Sequence, residues 1–187
     1  MRKLIVFCHL SLDGIAAIPS GSLDWISYNK DLQDWAEPIV KSTDTAIYGH
    51  VTYELMEKYW RAVPSDPNAS QHELEHARWI ENVEKIVFSK SKISLDWNNT
   101  KVIHENAKEE IQNLKQQSGK IITIFGSPTL ANVLIKLGLV DEYRLSVSPI
   151  ILGDGKFLFQ GVKDRIKLTL IEEKTFTSGV ITLHYKA

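Results

Sequence analysis

Apolar residues in this chain fall into short runs that alternate with amphipathic stretches along most of its length. Short apolar or β-branched runs predict buried strands, whereas apolar residues three and four positions apart predict helices. Strands are predicted over residues 3–10, 15–18, 45–48, 85–88, 101–104, 121–125, 142–148, 167–176 and 180–185. Helices are predicted over residues 31–42, 51–59 and 71–81, after residue 106, and from residue 128 to about residue 137.

Two of the helices carry recognisable end signals. Asn106 is a predicted N-cap, and Glu109 three residues later completes a capping box. In the last helix Ser127 is the predicted N-cap, Pro128 suits the first helical position, and Gly138 stands where a C-cap belongs.

Prolines and apolar spacing predict further local features. Pro38 should kink or split the helix over 31–42, and the prolines in 60–67 predict a surface loop. In the last helix, four apolar residues share the core-facing spacing. They are Leu130, Val133, Leu134 and Leu137.

The order of the elements predicts an α/β fold of three layers, α/β/α, in a single domain over residues 1–187. Strands lie near both ends of the chain, and the last two form an antiparallel hairpin around Ser178 and Gly179. A purely parallel sheet does not accommodate that hairpin. We therefore expect a mixed, mainly parallel sheet with helices on both faces.

Charge and composition exclude several classes of protein. The chain has 22 Lys and Arg against 23 Asp and Glu, so it lacks the basic surplus that nucleic-acid binding requires. No apolar run approaches the ~20 residues that cross a bilayer. The single cysteine, Cys8, permits no internal disulfide and fits a cytoplasmic location. The six histidines show no metal-ligand spacing, so we expect no metal site.

The candidate chemistry begins at two places where an apolar strand runs through glycine into a helix. These are residues 45–54 around Gly49 and residues 121–130 around Gly126. Such a junction leaves unpaired amides and the positive end of a helix dipole at one point, which suits phosphate. One junction is equally well explained as a tight turn or a capped core helix. Two in a short domain favour a ligand with several phosphates, such as a dinucleotide.

Other candidates lie beyond the carboxyl ends of predicted strands, where open α/β sheets bind ligands. Ser89 and Lys90 offer a hydroxyl and an ammonium that suit a ribose 2′-phosphate, although a solvated loop is the simpler reading. Asp13 lies in a segment that could close over a ligand, or it caps nearby backbone in a turn. Asp31 and Asp34 begin the first helix, where the dipole stabilises carboxylates.

Five segments, taken together and in this order, resemble the dihydrofolate-reductase-like family typified by the reductase domain of riboflavin biosynthesis. They are Ser11-Leu12-Asp13-Gly14, residues 48–54, Phe125-Gly126-Ser127-Pro128, residues 139–143 and residues 149–155. The resemblance spans nearly the whole chain. It implies NADPH lying across the strand ends, a small-molecule substrate and, in this branch, a homodimer.

The resemblance also implies roles for particular residues. Cofactor contacts are implied for Gly49, His50, Val51, Thr52, Ser89, Lys90, Gly126, Ser127, Pro128, Thr129 and Leu130. Asp13 and Trp25 belong to the segment that flanks nicotinamide and substrate. Asp31 is the nearest match to the family's buried carboxylate that assists protonation, with Asp34 as runner-up. The family usually has Arg at the position of His50, and a neutral imidazole is a poorer partner for a 2′-phosphate.

The sequence thus predicts an NADPH-dependent reductase that transfers a hydride to a pterin-, pyrimidine- or flavin-like ring. Two alternatives stay open. One is 5-amino-6-(5-phosphoribosylamino)uracil reductase of riboflavin biosynthesis, whose phosphoribosyl substrate needs a basic cluster that the sequence does not reveal. The other is a non-catalytic nucleotide-binding protein that keeps the reductase fold.

Overall fold

The computed structural model describes residues 1–91, 93 and 95–187. Its strands are β1 Leu4–Ser11, β2 Ile15–Ala17, β3 Thr43–Gly49, β4 Glu84–Phe88, β5 Thr100–Ile103, β6 Ile121–Phe125, β7 Glu142–Ser148, β8 Lys156–Phe157, β9 Thr169–Thr175 and β10 Ile181–Lys186. Its α-helices are α1 Lys30–Ser42, α2 His50–Ala62, α3 Gln71–Asn82, α4 Ala107–Gln116 and α5 Pro128–Lys136.

Eight strands form one mixed sheet in the order β5-β4-β3-β6-β1-β7-β10-β9. The six strands from β5 to β7 in this order run parallel, whereas β10 is antiparallel to both β7 and β9. The short strands β2 and β8 pair separately. The predicted α/β class and the terminal hairpin are therefore confirmed.

Alternation along β1 divides the core between the two faces of the sheet. Leu4 and Val6 pack in the cluster that contains residues of α4 and α5. Phe7 points the other way and packs on Ala36 and Ile39 of α1. Helices α2 and α3 contribute to a separate cluster with β3 and β4. The sheet is thus covered by helices on both sides.

The connections after β3 and β6 leave in opposite directions. The chain after β3 passes through α2 and α3 to the neighbouring strand β4, whereas the chain after β6 passes through α5 and beyond β1 to β7. Because β3 and β6 are adjacent, the point between their carboxyl ends is a topological switch point. Open α/β sheets bind ligands in the crevice that forms there.

Two predictions about prolines are corrected. Helix α1 continues unbroken through Pro38, so the predicted split is wrong. The missing amide of Pro38 removes one intrahelical bond, and the buried face carrying Leu32, Ala36 and Ile39 holds the helix together. The predicted loop over 60–67 is largely helical, because α2 extends to Ala62 and a 3-10 helix follows over Val63–Ser65.

Two helix-end predictions are also corrected. Asn106 adopts left-handed backbone and makes no side-chain cap bond, so its capping box with Glu109 does not form. A capping box forms instead at α3, between Ser70 and Glu73. Gly138, with φ +67°, ends α5 as predicted, and its amide donates to the carbonyl of Ile135.

The predicted core stripe of α5 is shifted. Leu134 is buried, but Val133 and Leu137 are 43% and 40% exposed. Ala131 and Ile135 take their places in the core. The buried stripe of α5 is thus rotated by one residue from the predicted one, because apolar spacing alone could not rank the small Ala131 above leucine.

A buried lysine on β4 caps the C-terminal end of α3. Lys85 on β4 is fully buried, and its ammonium donates to the carbonyls of Ile80 at 2.6 Å and Val83 at 2.9 Å. The same ammonium lies 4.9 Å from the centre of the Trp97 ring. Burial lowers the pKa of Lys85 to about 8. The side chain therefore acts as the C-cap of the helix that precedes its own strand.

In the part of the chain that is described, no helix is long and apolar enough to cross a membrane.

Candidate active site

The two glycine junctions lie against each other. The amide of Gly49 donates a hydrogen bond of 3.0 Å to the hydroxyl oxygen of Ser127. A Cβ placed on Gly126 would lie 3.9 Å from the methyl carbon of Thr52, and one on Gly49 would lie 3.7 Å from the Cβ of Leu130. The start of α2 and the start of α5 therefore lie side by side at the switch point.

Ser127 has a different role from the predicted one. Its hydroxyl donates to the carbonyl of Phe125 and accepts from Gly49, and it makes no cap bond to α5. Gly126 and Ser127 have φ values of +55° and +47°, a left-handed pair that turns the chain sharply from strand into helix. Ser127 therefore occupies the predicted N-cap position of α5, but its side chain makes no cap bond, because left-handed backbone directs it toward the other junction.

Both helix starts present amides that helix geometry leaves without an intrahelical acceptor. In α5 the first intrahelical bond runs from Ala131 to the carbonyl of Ser127, which leaves the amides of Thr129 and Leu130. Pro128 has no amide and occupies the first helical position as predicted. In α2 the corresponding amides are those of His50, Val51 and Thr52. Two sets of donors and the positive ends of two helix dipoles thus lie next to each other.

His50 is held by a carboxylate on its own helix. Its Nε2 lies 2.8 Å from an oxygen of Glu54, and its Nδ1 lies 3.5 Å from the hydroxyl of Ser91. The carboxylate adds negative charge beside the start of α2. The side chain at the position where the resemblance implies a guanidinium is thus an imidazole in contact with a carboxylate.

Ser89 and Lys90 follow β4, next to β3 in the sheet. Ser89 is buried, and its hydroxyl donates to the carbonyl of Ser91 at 2.9 Å. Lys90 is exposed. Of this predicted pair, the ammonium is therefore accessible, while the hydroxyl is occupied within its own turn.

Asp13 joins two segments of the chain that are far apart in sequence. Its carboxylate accepts from the hydroxyl of Ser11 at 2.6 Å and from the amides of Leu152 at 3.2 Å and Gly153 at 2.9 Å. The Ser11 hydroxyl and the amides lower the pKa of Asp13. The turn interpretation of Asp13 is confirmed, with the added finding that the capped backbone belongs to residues 149–155.

The other substrate-side candidates occupy different environments. Asp31 lies in the first turn of α1 and is exposed, whereas its neighbour Leu32 is fully buried. The carboxylate position implied by the resemblance is thus open to solvent rather than enclosed. Trp25 is buried, and its indole nitrogen has no hydrogen-bond partner among the described residues.

Five aromatic side chains to which the sequence assigned no role form a cluster beside Gly126. In this aromatic cluster the ring centroids of Phe7 lie 5.2 Å from Trp35, 5.7 Å from Phe125 and 5.4 Å from His9. Tyr28 lies edge-on to His9 at 5.9 Å. Phe125 immediately precedes Gly126, so the cluster continues the crevice along the α1 face of the sheet. The alternation of Phe7 and His9 on β1 was the available sequence signal.

His9 is the polar member of the aromatic cluster. Its Nδ1 lies 2.5 Å from the hydroxyl oxygen of Ser146 on β7, the residue paired with it in the sheet. Burial lowers the pKa of His9 to about 4, so the ring is neutral at pH 7.

The other titratable candidates have structural roles. His76 stacks on Trp60 at 4.1 Å and meets Trp79 at 5.0 Å. Burial raises the pKa of the Cys8 thiol to about 12, which makes it an unreactive core residue. Within residues 1–91, 93 and 95–187, no group of three or more His, Cys, Asp or Glu could hold a metal ion.

Comparison with known proteins finds a family and relatives that match nearly the whole chain. Residues 2–182 match the family described as the RibD C-terminal domain. The chain is 34% identical over 184 residues to the uncharacterized protein YyaP of Bacillus subtilis (strain 168), covering 98% of this chain and 94% of that protein.

Solved structures agree on the fold. A protein of Shewanella sp. PV-4, provisionally assigned to riboflavin biosynthesis, has a TM-score of 0.76 at 20% identity, covering 99% of this chain and 98% of the other. Dihydrofolate reductase of Enterococcus faecalis, complexed with NADP(H) and RAB-propyl, has a TM-score of 0.61 at 14% identity, covering 98% and 95%.

Proposed function

Because the chain belongs to the RibD C-terminal domain family, a family of reductase type, we propose that it is an NADPH-dependent reductase of a small heterocycle. The observation that carries this proposal is the meeting of two helix starts at the switch point, joined through Gly49 and Ser127. The free amides and helix dipoles at these two helix starts would bind the phosphates of a dinucleotide without any basic cluster.

The residues present fit such a cofactor. The amides of Thr129 and Leu130 would hold the pyrophosphate, and those of His50 to Thr52 would face the adenosine side, with the Lys90 ammonium on the next strand along. The left-handed turn at Gly126 and Ser127 brings backbone, rather than side chains, to the crevice. When bound, NADPH supplies the hydride.

The chain's own groups would orient the substrate and provide a proton. The aromatic cluster offers flat apolar surface next to Gly126, where the nicotinamide end of a cofactor bound in this way would lie. Asp31, in the first turn of α1, is the proposed proton source, directly or through water. Asp13 and Trp25 would shape the substrate side, Asp13 by fixing the loop over 149–155.

The riboflavin-pathway activity is the weaker alternative. A phosphoribosyl substrate needs several cations, but among the candidate site residues only Lys90 carries a permanent positive charge. The exposed position of Asp31 favours the other alternative, a binding protein without catalysis.

Titration with NADPH and NADH, followed by quenching of the tryptophan fluorescence, tests the proposal. We expect saturable NADPH binding at submillimolar concentration.

The variant Gly126→Ala should weaken NADPH binding, because a Cβ disfavours the left-handed turn that presents the amides. Gly138→Ala is the matched control, since that glycine also has positive φ but ends α5 at its far end. If neither NADPH nor NADH binds, the proposal is refuted. Binding without NADPH oxidation by any pterin, flavin or pyrimidine would favour the non-catalytic alternative.

We further propose a homodimer in the cytoplasm. Every residue of β9 is exposed, and within the described chain this edge strand pairs only with β10. An unpaired edge of this length is suited to association with a second copy. Sedimentation velocity would test this, and a monomer at micromolar concentration would contradict it.

A further inference from the structure

The carboxyl ends of β3, β4 and β5 bring two histidines to either side of one short turn. The register pairs Gly49 with Phe88 and Phe88 with Ile103, so the residues that follow these three strands lie in a row. Across the sheet this row consists of His50, Ser89 and His104. The turn after β4 therefore lies between two imidazole rings, beside the start of α2.

Contacts with polar atoms hold both rings at this turn. Nδ1 of His104 lies 2.8 Å from the carbonyl oxygen of Ser89. Nδ1 of His50 lies 3.5 Å from the hydroxyl oxygen of Ser91, and its Nε2 lies 2.8 Å from a carboxylate oxygen of Glu54. The side chain of His50 is 32% exposed and His104 is exposed, so both rings are accessible to a ligand.

The partners of the two rings determine which nitrogen carries the hydrogen of a neutral imidazole. Carbonyl and carboxylate oxygens only accept hydrogen bonds, so each requires an N–H from the ring nitrogen beside it. This places the hydrogen on Nδ1 of His104 and on Nε2 of His50. The other nitrogen of each ring then carries only a lone pair. It cannot donate to a phosphate oxygen until the ring gains a second proton.

The charges around the row change in the same sense. While both rings are neutral, the Glu54 carboxylate opposes an approaching phosphate, and the exposed Lys90 ammonium in the turn supplies one permanent positive charge. Glu105 and Lys108, both exposed, follow His104 on the path into α4 and offset each other. Imidazole is the side chain whose charge changes most readily between pH 5 and 8. Proton uptake by the two rings therefore adds two positive charges and two N–H donors at this turn.

We propose that His50 and His104 form a proton-dependent selector for the 2′-phosphate that distinguishes NADPH from NADH. This inference rests on the proposed reductase function and adds a regulation to its cofactor site. When protonated, the two rings donate to the 2′-phosphate together with Lys90, through charge-assisted hydrogen bonds. When neutral, they present lone pairs, and NADPH loses its advantage over NADH. A permanently charged guanidinium at position 50 would not make cofactor choice depend on pH in this way.

The test compares NADP⁺ with NAD⁺, which differ only in the 2′-phosphate and are stable in mild acid. The ratio of their dissociation constants is measured by calorimetry from about pH 8 to about pH 6.5, where the 2′-phosphate keeps most of its second charge. Repeating each titration in two buffers of different ionisation enthalpy counts the protons taken up on binding.

The variants are His50→Gln, His104→Gln and the double variant, each measured in the full chain. His72→Gln is the matched control, because His72 lies on α3 in the groove beside α1. The thermal midpoint of every variant shows whether it is folded. The proton count of the wild type tests the proposal even where a variant fails to fold.

We expect the preference of the wild type for NADP⁺ over NAD⁺ to rise at least about fivefold from the higher to the lower pH. The limit is about tenfold per pH unit for each proton bound. Proton uptake should accompany binding of NADP⁺ but not of NAD⁺. Each single variant should reduce the pH dependence, the double variant should abolish it, and His72→Gln should leave it unchanged.

Two results would overturn the inference while NADP⁺ still binds. One is a ratio of dissociation constants that stays constant with pH, without proton uptake on NADP⁺ binding. The other is an unchanged pH dependence in the folded double variant, which would assign the proton to another group. Failure of NADP⁺, NADPH and NADH alike to bind the wild type would instead refute the proposed function itself.

Discussion

The amide of Gly49 and the hydroxyl of Ser127, 78 positions apart in the chain, are joined by a hydrogen bond of 3.0 Å. The donor is the N-cap residue of α2, and the acceptor precedes the first residue of α5. This hydrogen bond joins the two strand-glycine-helix junctions directly. A substitution at Ser127 should therefore also affect the backbone at Gly49.

Replacing Ser127 should uncouple the junctions. Ser127→Ala removes the acceptor for Gly49 and also disfavours the left-handed backbone, and we expect it to lower the free energy of unfolding by about 1–3 kcal/mol. Ser127→Gly removes the same hydroxyl but tolerates that backbone, so it should be the milder change. Urea unfolding of both variants measures the difference. A smaller loss for alanine than for glycine would contradict the backbone part of the argument.

Nucleotide choice should respond to His50. His50→Arg supplies a permanent charge with a forked donor, and we expect it to raise NADPH affinity relative to NADH about tenfold, roughly the effect of one charge-assisted hydrogen bond. Glu54→Gln is the companion variant, because Glu54 now pairs with His50. It should favour NADPH in the same direction but less strongly. Unchanged selectivity in both variants would show that the 2′-phosphate does not lie at this junction.

Lys85→Met should be strongly destabilising. It leaves the carbonyls of Ile80 and Val83 buried without their donor, at a cost of about 2–4 kcal/mol. Lys101→Met is the control, since Lys101 is an exposed lysine on the neighbouring strand whose partner is Glu84, and it should change stability by less than ~1 kcal/mol. Chemical denaturation at pH 7 compares the two. Equal effects would mean that the cap of α3 contributes nothing.

Mild acid should destabilise the fold through two histidines. Burial lowers the pKa of both His9 and His76 to about 4, whereas the unfolded chain titrates near 6.5. Between these values the unfolded state binds more protons, so stability is complete above pH 6.5 and declines as the pH falls toward 4. Urea midpoints at pH 7.5 and 5.5 measure the decline. His76→Phe, which keeps a ring against Trp60, should make it shallower; an identical slope would exclude His76 as a contributor.

Local pattern predicted every described strand except the two-residue β8, and it predicted both glycine junctions, because a strand followed by glycine and a helix is written in consecutive residues. It failed where a distant contact decides the outcome. Ser127 occupies the predicted N-cap position, but its hydroxyl bonds to the distant Gly49 amide instead of capping α5. The exposure of Val133 likewise depends on which face α5 turns toward the sheet. The aromatic cluster was missed for the same reason, since Phe7, Trp35 and Phe125 come from three separate elements.

The carboxylate of Asp13 fastens residues 11–14 to residues 149–155 across most of the chain's length. A carboxylate only accepts hydrogen bonds, so the late loop must present its amides in one arrangement for this link to form. The two segments consequently form a single structural unit. A chimera that takes residues 149–155 from a relative should therefore also take residues 11–14 from the same relative.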